Sequence, residues 1–136
     1  MQKTKVTPFQ IPYLQLPVKD PVRSAEFYKN IFGMEFSFPY NPEDGAAYMM
    51  YRDNVAVGLI ECEEVPSFDF VNKKGERQAV FTFEINDIHT FHKELQSQGI
   101  ETEEMTFKSD GGYNFIVRDP DGHASHVWSG WPEEVE

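Results

Sequence analysis

The sequence has little of what several protein classes require. Its one cysteine, Cys62, excludes an internal disulfide and fits a reducing compartment. No apolar run approaches the roughly 20 residues that cross a bilayer, and the first ten residues contain no apolar segment typical of a secretory signal. A phosphate-binding glycine loop, a paired-cysteine motif and a Ser-His-Asp order are also missing. We therefore expect a cytoplasmic protein that has no membrane partner.

Basic residues are also scarce. The 136 residues include 12 Lys and Arg against 23 Asp and Glu, which gives a net charge of −11. An acidic surface repels phosphate backbones, so the composition argues against nucleic acid as a partner and favours a cationic or metal-bearing ligand. Aromatic residues, in contrast, are abundant, with 12 Phe, 6 Tyr and 2 Trp. These side chains are sufficient for a folded core and argue against disorder.

An internal repeat organises the chain. Similar landmarks recur 66 or 67 positions apart, and two such spacings cover nearly the whole sequence. Few other side chains match, so the repeat is one of structure. The recurring landmarks are Asp20 and Asp87, Gly33 and Gly99, and the pairs Arg52-Asp53 and Arg118-Asp119.

Each copy has the pattern of a strand, a helix and three further strands. Period-two alternation predicts the strands, the aspartates at 20 and 87 are good N-caps, and the glycines at 33 and 99 suit left-handed helix ends. We expect an α+β protein with a single domain over residues 1–136, made of βαβββ repeats at 11–62 and 79–129 and a polar linker at 63–78. The predicted strands are 11–18, 34–40, 46–51 and 55–61, then 79–85, 100–107, 113–118 and 123–128, with matching turns at Asp53-Asn54 and Asp119–Gly122.

This tandem pattern resembles the vicinal oxygen chelate (VOC) superfamily, the glyoxalase, bleomycin resistance protein and extradiol dioxygenase group. The resemblance covers residues 11–129 and implies a cup-shaped mixed sheet that holds a ligand on its concave face. It also implies that halves pair within a chain or between two chains, and we expect a homodimer. The matching residues are Val18-Lys19-Asp20, Phe27-Tyr28, Phe32-Gly33-Met34, Phe83-Glu84-Ile85-Asn86-Asp87 and Asp119-Pro120-Asp121-Gly122.

The metal enzymes of this family place one ligand on the first and one on the last strand of each half. The resemblance maps these positions to Tyr13, Gly58, Val80 and His126, of which only the histidine is a good ligand. Glu61 is the nearest carboxylate to position 58, but on a regular strand it points to the opposite face unless a bulge turns it inward. We expect no metal cofactor; the alternative is a divalent metal held by His126 and Glu61.

Strand alternation suggests a different site. His126 and Trp128 share one face of the last strand, and Tyr13 and Gln15 share one face of the first, so we predict that these four residues bind the ligand. His126 has an alternative interpretation as a hydrogen-bonded interior histidine. His123 is expected on the opposite face, in solvent.

Two classes of function remain open. One is a glyoxalase-like or bleomycin-resistance-like protein that binds a small cationic or aromatic molecule without a complete metal site. The other is a divalent-metal-dependent VOC enzyme, a lyase, an isomerase or a dioxygenase-like member. Whether the chain catalyses a reaction is left undecided by the sequence.

Overall fold

The fold is taken from a computed structural model that describes residues 2–6, 8, 10–51 and 55–132. The chain divides into two compact units, Met1–Val65 and Pro66–Glu136, and each is treated by itself. The predicted turn at Asp53-Asn54 lies outside the described residues. The described helices and strands make a mixed α+β protein, as predicted, and none of these helices has the length and hydrophobicity to cross a membrane.

The first unit is a βαβββ motif. The parallel pairing of β1 with β4 places β1 at one edge, and the antiparallel strands β3 and β2 complete the sheet in the order β1-β4-β3-β2. Its elements are β1 (Tyr13–Val18), α1 (Pro21–Phe32), β2 (Glu35–Phe36), a 3₁₀ turn (Pro42–Asp44), β3 (Ala46–Met50) and β4 (Ala56–Glu61).

The ends of α1 follow from local chemistry. The Asp20 carboxylate accepts hydrogen bonds from the backbone N–H groups of Val22 and Arg23. Pro21 occupies the first turn, where its missing N–H group costs no hydrogen bond. Gly33 ends the helix with φ of 72°, a left-handed conformation that glycine adopts without strain. The buried face of the helix includes Tyr28.

The second unit repeats this arrangement, because its sheet order β7-β10-β9-β8 has the same connectivity and the same parallel pairing of the first and last strands. The predicted tandem βαβββ repeat is confirmed. The elements of this unit are β5 (Phe70–Val71), β6 (Arg77–Gln78), β7 (Phe81–Glu84), α2 (Ile88–Ser97), β8 (Thr106–Lys108), β9 (Gly112–Arg118) and β10 (Ala124–Trp128).

Alternation along β9 and β10 separates two faces of the second sheet. Phe115, Val117 and Val127 are almost fully buried on the face that carries α2, where His92 and Phe91 contact the ring of Phe115. The opposite face carries the other set of residues, which includes His126. One face therefore forms the core, and the other is available for a site.

Two expectations are wrong in detail. The stretch 63–78, predicted as a plain linker, contains the short hairpin of β5 and β6. His123, expected in solvent, is 3% exposed and stacks on Phe68 at a centroid distance of 5.5 Å. The second error follows from the first, because Phe68 belongs to the same stretch and lies just before β5.

Candidate functional site

A cavity of about 450 Å³ lies against the open face of the second sheet. Volumes of this size suit small organic ligands. Its floor comes from β7, β9 and β10, one wall comes from the segment Glu76–Gln78, and another comes from β8 with the residues before it. The floor residues are Thr82, Asn114, Ile116, His126 and Trp128.

His126 occupies the middle of the floor. It pairs with Thr82 on β7 and with Ile116 on β9, and both of these residues also line the cavity. The side chain is half-buried, and its Nε2 atom is buried without a hydrogen-bond partner in the described part of the chain. Burial lowers the pKa of His126; Glu103 opposes this shift and Lys108 adds to it. The imidazole is therefore neutral near pH 7 and has one unused hydrogen-bonding nitrogen.

Trp128 supplies the aromatic part of the floor. Its register on β10 places it on the same face as His126. The indole N–H already donates to the carbonyl oxygen of Gly111 at 2.6 Å, so the ring is held in place and offers an apolar surface. Trp131, which also lines the cavity, meets this ring edge to face at a centroid distance of 4.9 Å.

The two cationic side chains that line the cavity, Lys108 and Arg77, both form ion pairs. Lys108 pairs with Glu76 at 3.1 Å, and Arg77 pairs with Asp69 at 2.8 Å. Glu104, in contrast, lines the cavity and forms no ion pair among the residues described. The uncompensated charge of the lining is therefore negative.

The first unit holds the other two predicted site residues. Tyr13 and Gln15 are exposed on one face of β1, and the ring of Tyr48 meets Tyr13 edge to face at 5.3 Å. Gln15 pairs with Gly58 across the parallel ladder. The structure thus groups Tyr13 with Gln15 and His126 with Trp128, and the joint role of the four residues stays a prediction.

Comparison with known families identifies the chain. The family model described as Glyoxalase/Bleomycin resistance protein/Dioxygenase superfamily matches residues 10–127. The chain belongs to this superfamily. No curated protein sequence matches it.

Solved structures of this superfamily share the fold. A possible glyoxalase from Bacillus cereus is 22% identical, with 89% of this chain and 99% of that chain covered and a TM-score of 0.65. A mutant of the fosfomycin resistance protein FosX from Listeria monocytogenes, complexed with Mn(II) and dihydroxypropylphosphonic acid, is 16% identical, with 91% and 92% covered and a TM-score of 0.69. The trypanothione-dependent glyoxalase I of Leishmania major is 18% identical, with 90% and 87% covered and a TM-score of 0.67.

The metal positions of the superfamily do not fit this chain. Val80 is apolar, 53% exposed and lies before β7 begins. At position 58 there is no side chain, and an added Cβ would lie 2.7 Å from the ring of Tyr48. No group of three or more His, Cys, Asp and Glu residues suited to a metal occurs in the described ranges. The donors at the four implied positions are one imidazole and one phenol, too few for a divalent metal.

Glu61 does not replace the missing ligand on its own strand. The ladder between β1 and β4 is continuous from Tyr13 opposite Ala56 to Val18 opposite Glu61, so β4 contains no bulge. Glu61 therefore shares a sheet face with Val18, whereas Gly58 lies on the opposite face.

Sequence reasoning missed several residues of the cavity. Thr82 could have been found, because it has the strand position that pairs with His126 once the first and last strands are taken as neighbours. Asn114 depends on the register between β9 and β10, which the sequence does not specify. Trp131 lies beyond the predicted repeat at 79–129, and the wall at 76–78 lies within the predicted linker.

Proposed function

We propose that this superfamily member binds a small organic molecule, aromatic or cationic, in the cavity of its second unit and does so without a metal. The observation that carries the proposal is the unpartnered Nε2 of His126 on the floor of a cavity of ligand size. A buried polar atom without a partner is costly in an empty site, and a ligand with a complementary hydrogen-bonding group removes that cost.

The surroundings of His126 support the choice of ligand class. Trp128 presents a fixed indole surface, against which flat rings and cations pack favourably. The paired state of Lys108 and Arg77, together with the unpaired Glu104, favours a positive over a negative ligand. The net charge of −11 acts in the same direction at long range.

Tryptophan fluorescence gives a direct test, because both tryptophans of the chain line this cavity. Titration with benzamidine, benzamide and benzoate compares three flat molecules of similar size that are cationic, neutral and anionic. We expect saturable changes in emission with affinity in the order benzamidine, benzamide, benzoate. Absence of saturation with all three would contradict the aromatic ligand class, and tightest binding of benzoate would contradict the role of charge.

The alternative is a metal-dependent lyase, isomerase or dioxygenase, and the similarity to the Listeria structure with Mn(II) supports it. The donor set at Tyr13, Gly58, Val80 and His126 argues against it. Elemental analysis of protein purified without chelator separates the two, since close to one equivalent of Zn, Ni, Mn or Fe per chain would overturn the metal-free proposal.

The proposal also includes a homodimer in the cytoplasm. The free thiol of Cys62 supports a reducing compartment, where it stays reduced. The tandem fold supports the dimer, because superfamily members pair their halves within a chain or between two chains.

A further inference from the structure

The segment 66–78, here called the 66–78 hairpin, forms a wall of the cavity. Its strands β5 and β6 make only two residue pairs, Phe70 with Gln78 and Val71 with Arg77. The side chain of Asn72 closes the turn between them, because its Oδ1 accepts hydrogen bonds from the backbone N–H groups of Lys74 and Glu76. The end of this hairpin, from Glu76 to Gln78, lines the cavity directly.

Asp69 attaches the hairpin to the second sheet. Its side chain is only 7% exposed, and its Oδ2 accepts hydrogen bonds from Arg77 at 2.8 Å and Arg118 at 3.0 Å. Arg118 lies on β9, on the same sheet face as Ile116 and the cavity floor. One buried carboxylate therefore connects the hairpin strand β6 with the sheet beneath it.

The ring of Phe68 stacks on the buried ring of His123 and fixes the start of the segment. The other attachments, in the part from Asp69 to Gln78, are weaker. The ion pair of Lys108 and Glu76 joins β8 to the hairpin, but both side chains are about half exposed and such pairs contribute little. Phe70 and Val71 are 53% and 63% exposed, so β5 buries little apolar surface. A segment held mainly by side-chain ion pairs, with a two-pair ladder, opens at a lower free-energy cost than the strands of a core.

We propose that the 66–78 hairpin is a movable wall of the cavity and that Asp69 is the positioning residue that holds it closed. When the pair between Asp69 and Arg118 breaks, the hairpin loses its support, its two-pair ladder and turn open, and the floor at His126 and Trp128 becomes accessible from that side. The identity of the molecule admitted rests on the function proposed above, whereas the movement itself is a property of the ligand-free protein.

The two arginines keep the carboxyl group of Asp69 ionised. Burial acts to raise the pKa of Asp69, but the hydrogen bonds from Arg77 and Arg118 and their charges outweigh it and hold the pKa below its usual value. The carboxylate is thus ionised at neutral pH. Its second oxygen, Oδ1, is buried without a hydrogen-bond partner among the described residues, so the two arginines provide its compensation.

Acrylamide quenching of tryptophan emission tests the wall without any ligand in a Trp131→Phe background, because Trp131 is already 74% exposed whereas Trp128 lies on the cavity floor. Asp69→Asn keeps the shape of the side chain and removes its charge. We expect its quenching constant to rise at least about twofold, because the loss of one charged hydrogen bond shifts the opening equilibrium by that factor or more. Asp44→Asn, an identical change at an exposed residue of the first unit, should match the wild type. Asp69→Glu, which restores the carboxylate, should return quenching toward the wild-type value.

Trypsin supplies a second measurement. Lys73 and Lys74 are exposed in the hairpin turn, and cleavage after them should accelerate in Asp69→Asn but not in Asp44→Asn. A purely structural role for Asp69 would lower the unfolding midpoint and leave both quenching and cleavage at the wild-type level under folding conditions. Unchanged quenching and cleavage in a folded Asp69→Asn protein would therefore overturn the proposal.

Hydrogen exchange of the wild type keeps the test valid if Asp69→Asn fails to fold. The amides of Asn72 and Gly75 are hydrogen-bonded within the hairpin, to Glu76 and Asn72 respectively. A movable wall predicts that they exchange through local opening, much faster than the ladder amides of β9 and β10. Exchange of these amides only through global unfolding would overturn the proposal. Because no ligand is involved, this outcome is independent of whether benzamidine or benzamide binds.

Discussion

The unpartnered Nε2 of His126 sets the strongest constraint on any molecule that fills the cavity of the second unit. A neutral imidazole offers one donor and one acceptor, and neither Thr82 nor Ile116 beside it on the floor hydrogen-bonds this nitrogen. A ligand that brings an amide or amidine group to His126 forms this missing hydrogen bond once the ring turns the buried Nε2 toward the cavity. At this scale the site combines an imidazole nitrogen without a hydrogen-bond partner with the negative charge of Glu104.

His126→Ala should weaken binding of benzamide by about 1–2 kcal/mol, because one hydrogen bond is lost. His89→Ala is a matched control: His89 is exposed on α2, contacts Tyr113, and does not line the cavity. Fluorescence titration of both variants gives the comparison. Equal affinities for His126→Ala and the wild type would exclude a ligand contact at Nε2.

The lowered pKa of His126 also predicts a dependence of stability on pH. A histidine whose folded pKa lies below its ordinary 6.5 binds fewer protons than it does in the unfolded chain. Its contribution is fully present above pH 6.5 and is lost as the pH falls through the lower folded value. Urea unfolding should therefore show that the free energy of unfolding falls more for the wild type than for His126→Gln as the pH is lowered from about 7.5 through the folded pKa of His126. Parallel pH profiles would show that His126 titrates normally.

Gly58 gives a steric prediction in the first unit. A Cβ at this position would lie 2.7 Å from the ring of Tyr48, so Gly58→Ala must displace that ring and should cost about 1–3 kcal/mol of folding free energy. At Gly111 the nearest atom to an added Cβ is 3.5 Å away, and Gly111→Ala should change stability by less than about 0.5 kcal/mol. Urea unfolding of both variants provides the measurement, and equal losses would show that Tyr48 does not occupy this place.

At the scale of secondary-structure elements, the start of α1 is stabilised by a side chain next to it in the sequence. Asp20→Ala should destabilise the protein by about 1 kcal/mol, because the N–H groups of Val22 and Arg23 lose their acceptor. Asp20→Asn keeps a capping oxygen and should recover most of that loss. The two variants are compared by urea unfolding, and a loss as large for Asn as for Ala would point to charge instead of capping.

These same helix ends show which parts of the fold the sequence could predict. Asp20, Asp87, Gly33 and Gly99 act within one or two turns of their own positions, so their roles were readable without tertiary information. The strand positions of His126 and Trp128 were equally local, since alternation fixes which residues share a face.

Features that depend on distant partners were missed. The 66–78 hairpin has two-residue strands and a polar sequence, and what holds it is Arg118, a residue 49 positions from Asp69. The predicted strand 34–40 is reduced to Glu35–Phe36, and the strand 100–107 is reduced to Thr106–Lys108 with one isolated bridge at Thr102. At a sheet edge, pairing depends on a single neighbour, so propensity alone overestimates the length of such strands.

At the scale of the whole molecule, the remaining prediction is a homodimer. The described residues expose several large apolar side chains, with Phe38, Phe70 and Phe107 each accessible over more than half of their area. Association of two copies would remove part of this surface from water. Sedimentation equilibrium at micromolar concentration should therefore give a mass near twice the 15.8 kDa of one chain. A mass of 15.8 kDa that persists as the concentration is raised would contradict the dimer while leaving the cavity around His126 to be judged by its own titrations.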